Sequence, residues 1–93
     1  MDISVSISYQ ADIKEAKEVL MQVLLKEPGV MEEQERLVYA DRLGESGIDM
    51  VVRCWAHTDI YWEVKRRLTE NIKNALDEAE IEIPYPQMDV HVK

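Results

Sequence analysis

Leu43-Gly44-Glu45-Ser46-Gly47-Ile48-Asp49-Met50-Val51-Val52-Arg53-Cys54-Trp55-Ala56-His57 reads as a tight turn that opens into an alternating strand. Gly44 and Gly47 mark the turn. After it, Ile48, Met50, Val52, Cys54 and Ala56 share one face, while Val51, Arg53, Trp55 and His57 share the other. Residues 36–43 form the other arm, so the centre of the chain is a hairpin of two strands, about 36–43 and 48–57.

Helical periodicity flanks the hairpin on both sides. Upstream, Asp12 offers an N-cap with Glu15 three residues on. Ile13, Ala16, Leu20, Val23 and Leu24 then recur at helical spacing until Pro28-Gly29 ends the run. Downstream, Thr58 or Asp59 is the expected cap of a second helix, with Ile60, Val64, Leu68, Ile72, Leu76 and Ala79 as its apolar stripe. A first strand precedes both helices, with Ile3, Val5, Ile7 and Tyr9 alternating with Asp2, Ser4, Ser6 and Ser8. Residues 81–83 form a short last strand. Two one-sided helices around a hairpin predict an α+β fold, a ferredoxin-like βαββαβ sandwich with a four-stranded sheet and both helices on one face.

At 93 residues the chain holds one core, since folding at this length buries roughly 60–65% of the unfolded chain's surface. Its longest apolar run is far short of the ~20 residues that cross a bilayer. The formal net charge of −8, from 19 acidic and 11 basic residues, opposes nonspecific binding to nucleic acid and direct contact with an anionic membrane. Lys65-Arg66-Arg67 reads as a solvated helix face with i, i+4 pairs. Cys54 is the one cysteine, so no internal disulfide forms and a cytoplasmic setting is favoured.

The chain end, Ile83-Pro84-Tyr85-Pro86-Gln87-Met88-Asp89-Val90-His91-Val92, joins a rigid turn to an alternating strand. Each proline fixes φ near −65°, lacks an N–H and keeps the residue before it extended. The ladder of the preceding strand stops there, and Met88, Val90 and Val92 then point one way. This divides the chain into a domain over 1–86 and the start of a separate strand over 87–93, an edge that needs a partner.

That closing segment resembles the signature of the small-conductance mechanosensitive channel (MscS) family. Leu43-Gly44-Glu45-Ser46-Gly47-Ile48 is similar to the family's Leu-Gly turn, and Val51-Val52-Arg53-Cys54-Trp55 to its apolar strand ending in tryptophan. Tyr61-Trp62-Glu63-Val64 followed by Ile72-Lys73-Asn74-Ala75-Leu76-Asp77 is similar to its second helix. Four segments in the family's order make the resemblance specific over the whole chain. It implies the C-terminal domain of a channel subunit that opens under membrane tension and releases ions and small solutes during hypo-osmotic shock. The full protein would lie in the cell membrane with this domain on the cytoplasmic side. Seven copies would enclose a chamber, and the chain ends would form a parallel β-barrel. Glu80 departs from the pattern, standing where the family often has glycine, which predicts a frayed or differently shaped helix end.

Catalytic chemistry has little support in the residues. Cys54 and His57, three apart on a strand, point to opposite faces and do not assemble a metal site with His91. No nucleophile–base set or glycine-rich phosphate loop is evident. Tyr9-Gln10-Ala11-Asp12 lacks the glycine or arginine that an acylphosphatase-like loop needs. The absence of Phe removes the aromatic platform of RNA-binding domains of this topology. The expectation is a non-catalytic assembly domain without cofactor or metal. The alternative is a ferredoxin-like ligand-binding regulatory module that dimerises edge to edge, and a small hydrolase is a remoter third reading.

The candidate subunit-interface residues are Trp55, Pro84, Tyr85, Pro86, Met88, Val90 and Val92. Trp55 reads either as filling the edge of the core or as touching a neighbouring domain or subunit. Glu32, Glu33 and Glu35 form the densest acidic run and are candidates for the rim of a cage opening. The homo-oligomer is expected of the full channel only. The isolated chain offers one modest face and one short strand, too little for the ~1,200 Å² of a stable interface, and is expected to be monomeric or weakly associated.

Overall fold

Alternation over Asp2–Ile7 makes β1, the helical stripe over Ile13–Lys26 makes α1, and the central hairpin gives β2 (Leu37–Leu43) and β3 (Ile48–Arg53). A 3₁₀ turn at Thr58–Ile60 then leads into α2 (Tyr61–Glu78). This is a computed structural model, and it describes residues 1–84. The expected strand over 87–93, with Tyr85 and Pro86, lies outside the described residues.

β3 is the middle strand of an antiparallel sheet of order β1-β3-β2. Its pairings Ile3↔Val52, Val5↔Met50 and Ile7↔Ile48 with β1, and Val38↔Val52 with β2, put apolar residues of all three strands on one face. Both helices supply the other half of the core. Ala16, Leu20, Val23 and Leu24 come from α1, and Val64, Leu68, Ile72 and Leu76 from α2. The α+β layering read from the stripes is therefore the architecture of the described residues.

Helix α1 starts where its cap dictates, with the Asp12 carboxylate accepting from the Lys14 N–H at 2.9 Å. Helix α2 begins differently from expectation, because neither Thr58 nor Asp59 caps it. The 3₁₀ turn tightens its entry instead, with the Ile60 N–H donating to the His57 carbonyl at 3.1 Å. β1 also ends earlier than its alternation suggests. The chain turns at Ser8, whose carbonyl accepts from the Ala11 N–H at 3.0 Å. Tyr9 leaves the apolar row, and its hydroxyl donates to the Gly44 carbonyl in the hairpin turn.

The fourth strand is reduced. Residues 81–84 carry no strand assignment, and the contact with β1 is a bond from the Ser8 N–H to the Glu82 carbonyl at 2.8 Å. Pro84, lacking an N–H, cannot extend a ladder. The segment still lies beside β1, where a fourth ferredoxin-like strand would run, and Ile81 remains in the core.

Glu80 overturns the expectation of a frayed helix end. It adopts φ of 61°, the one positive-φ non-glycine residue among those described. The Ile81 N–H reaches the Leu76 carbonyl at 2.9 Å and the Glu80 N–H reaches that of Asp77 at 3.0 Å, the paired bonds of a Schellman motif. Burial of Ile81 holds the motif closed despite the cost of a left-handed side chain. Glu80→Gly should therefore raise stability by about 1 kcal/mol, read as a later urea midpoint with an unchanged slope. An unchanged midpoint would show that Glu80 bears no strain.

Candidate functional site

The features singled out in the sequence fall at opposite ends of β3, about 20 Å apart at the rise of a strand. At the hairpin end lies Pro84. A Cβ built on Gly47 would sit 2.9 Å from Pro84 Cγ and 2.2 Å from the Ile7 carbonyl oxygen. Residue 47 thus has no room for a side chain, and the 82–84 segment closes over the hairpin turn.

At the other end the β1–β3 ladder runs past its assigned limit. The Cys54 N–H donates to the Met1 carbonyl at 3.0 Å, and the Met1 amine donates to the Cys54 carbonyl at 2.9 Å. Trp55 follows, 49% exposed, and borders a shallow hollow with Met1, Asp2 and Arg53. Its carbonyl accepts from the Met31 N–H at 2.8 Å, which ties the loop after α1 to the end of β3. Glu32 and Glu33 of that loop border an open depression with Gly29, Val30, Met31, His57 and Ile60. Glu35 is exposed nearby and adds to the field at Arg53. The structure thus groups Trp55 with the acidic loop and separates both from Pro84.

The sheet face that carries Trp55 is polar and internally paired. The Arg53 guanidinium meets both Asp2 carboxylate oxygens, at 2.8 and 3.0 Å, and lies 5.9 Å from the centre of the Tyr39 ring. The Asp2 hydrogen bond raises the Arg53 pKa, and the Asp2 carboxyl is lowered in return. Arg42 and Asp49 pair at 2.8 Å. Val51, which shares this face with Arg53 and Trp55, is buried between its neighbours Ser4 and Tyr39. Cys54 faces the core, where burial pushes its thiol up, whereas His57 is exposed.

What positions the acidic loop is a residue that the sequence reading passed over. Glu27 caps the end of α1, and its side chain is 2% exposed. One carboxylate oxygen accepts from the Gly29 N–H at 3.0 Å and from Arg67 at 2.6 Å. Arg67 also holds Glu63 at 3.0 Å. The Arg67 hydrogen bond, opposed by desolvation and aided by Gly29, keeps the Glu27 carboxyl below its ordinary value. Arg67 is therefore a cross-helix anchor and not simply part of a solvated basic face. Glu27-Pro-Gly was the available sign: an acid before a Pro-Gly turn reaches the turn's N–H groups without leaving its helix.

Residues 1–83 match the sequence profile of the family described as Mechanosensitive ion channel MscS, C-terminal. The chain belongs to the MscS family. It is 37% identical over 92 residues to a small-conductance mechanosensitive channel of Edwardsiella ictaluri, covering 99% of this chain and 32% of that protein. An uncharacterised MscS family protein of Synechocystis is 35% identical over 92 residues, covering 99% of this chain and 31% of the relative. The crystal structure of Helicobacter pylori MscS in a closed state superimposes with a TM-score of 0.88 at 26% identity, covering all of this chain and 37% of that one. The chain thus spans about a third of the length of the MscS relatives it matches. Among the described residues, no helix is long and apolar enough to cross a membrane.

Within this MscS domain the buried carboxylate makes stability acid-sensitive. A folded carboxyl below its unfolded value stabilises fully above the unfolded value, and the contribution is lost as pH falls through the folded one. Glu27→Gln should cost about 1–2 kcal/mol at pH 7, after discounting for screening at half-exposed Arg67. The gap between the two proteins should shrink below about pH 4.5. Urea unfolding from pH 7 to 3 measures it, and a gap independent of pH would remove Glu27 from that role.

Proposed function

We propose that this chain is a wall segment of the cytoplasmic cage of a mechanosensitive channel, a membrane homo-oligomer that releases ions and small solutes on hypo-osmotic shock. The observation that carries the reading is the placement of Met1 and Pro84 at opposite ends of one sheet. A domain entered at one pole and left at the other spaces whatever is attached to each. Family membership supports the channel context. In this reading seven subunits surround a chamber, Trp55 contacts a neighbouring domain or subunit, and Glu32, Glu33 and Glu35 rim an opening.

The domain covers 1–86. From 87 on, Met88, Val90 and Val92 pair in parallel with the same strand of adjacent subunits, so that closure into a barrel removes every edge. Pro84, Tyr85 and Pro86 aim that strand away from the sheet. No catalysis is assigned to the domain. A regulatory module that dimerises edge to edge is less well supported, because β2, the exposed edge, carries a register shift between Ala40 and Arg42. A bulged and charged edge opposes strand pairing.

Deleting residues 88–93 should leave the unfolding midpoint of this chain unchanged while lowering the yield of assembled full-length channel, measured by size-exclusion chromatography with light scattering. An unfolded truncated chain would place the strand in the domain's own sheet and end the assembly role. Changing Glu32, Glu33 and Glu35 to Gln in the full-length channel should shift the reversal potential in a salt gradient toward anions. The effect should be greatest at low ionic strength, because it acts within a Debye length of about 8 Å at physiological salt. An unmoved reversal potential would make the acidic loop a solvated turn.

A further inference from the structure

The loop over 28–36, between α1 and β2, is lightly tied. Val30 is buried, but the side chains from 32 to 35 stand exposed. Among the described residues, its hydrogen bonds to other elements are that of the Met31 N–H to the Trp55 carbonyl, at 2.8 Å, and that of the Gly29 N–H to the Glu27 carboxylate, at 3.0 Å. The second depends on α2, because Arg67 holds the same carboxylate in place. A segment with so little buried surface opens at a lower free energy than the core around it.

Arg67 does not belong to Glu27 alone. Its Nη2 lies 2.6 Å from Glu27 Oε2 and its Nε 3.2 Å from both Glu27 oxygens, while its Nη1 lies 3.0 Å from Glu63 Oε2. One cation therefore gathers two carboxylates that repel each other. They differ in their surroundings, the Glu27 side chain being 2% exposed and that of Glu63 60%. They differ also in attachment. Glu63 stands four residues before Arg67 on the same helix, a spacing at which the pair forms without help from any other element.

We propose that Arg67 is a two-position latch for the 28–36 loop, closed on Glu27 with the loop docked and open on Glu63 alone with the loop released. Opening returns the Glu27 carboxylate to water and leaves Arg67 paired on its own helix, so neither charge is stranded in the interior. It also separates the two carboxylates. Glu63 is thus a competitor of Glu27, although all three groups touch while the loop is docked. The latch goes beyond the channel reading and does not rest on it, so the failure of either leaves the other standing. Where that reading applies, the latch sets how far Glu32, Glu33 and Glu35 reach from the wall.

Amide exchange followed by NMR on the whole chain tests the latch. The amides of Gly29, Val30 and Met31 should exchange together and ahead of Val52 in the middle strand of the sheet. Glu63→Gln should slow those three by about threefold, the factor that an exposed ion pair supplies, and leave Val52 unchanged. Glu27→Gln should speed them by about tenfold or more, the factor of a hydrogen bond to a charged group. Asp77→Asn removes the acid of the exposed Lys73–Asp77 pair on the same helix and should leave loop exchange as it is. That variant separates competition for Arg67 from the general relief of negative charge in a chain of −8. Unchanged or faster loop exchange in Glu63→Gln would overturn the latch and make Glu63 a bystander or a support of the docked state. Equal slowing by Asp77→Asn would overturn it as well.

Discussion

A buried carboxylate at the end of α1 sets where that helix meets α2 and where the loop after it runs. Glu27 is the one buried charged residue among those described, and an ionised group leaves water only where partners replace its hydration. Arg67 and the Gly29 N–H supply them, so the end of α1 must lie against the first turns of α2. Gly29 in turn must be glycine, because a Cβ there would meet Val64 Cγ2 at 2.3 Å. With that turn fixed, Met31 reaches the Trp55 carbonyl, and the acidic loop has one place to go.

This gives a domain of −8 formal charge an ordered way to carry its excess acid. Arg53, Arg42 and Arg67 are each engaged by carboxylates, whereas the carboxylates of the loop at 32–35 stand exposed. Paired charges hold the sheet face and the helix contact, and the loop at 32–35 adds exposed acid near the Trp55 end of β3.

The hairpin, both helix stripes and the apolar row of β3 were legible because each is a local pattern of period two or 3.6. The family resemblance rested on the same segments. The contacts missed were those that join distant stretches. Glu27 and Arg67 are forty positions apart, and nothing in either neighbourhood announces the other. The loss of the expected strand at 81–83 and the early end of β1 were missed because alternation continues through Tyr9 and Ile83 while the backbone turns away. Glu80 misled for a different reason. Its propensity argues against a left-handed cap, but burial of Ile81 and two backbone bonds outweigh that preference. On the candidate site, the sequence located Trp55 and the acidic run separately, and only the fold joins them through Met31.

The opposed positions of Met1 and Pro84 also determine how the domain carries a load. A pull between them runs nearly along the strand axis, with β1 drawn one way by Met1 and the hairpin and α2 drawn the other by residues 82–84. The β1–β3 hydrogen bonds lie across that pull, so they are strained together in shear instead of being peeled one at a time. A ladder loaded in this way resists as a unit up to the point where it slips by a whole register. The domain should therefore behave as a stiff strut, transmitting displacement from one pole to the other with little stretch of its own.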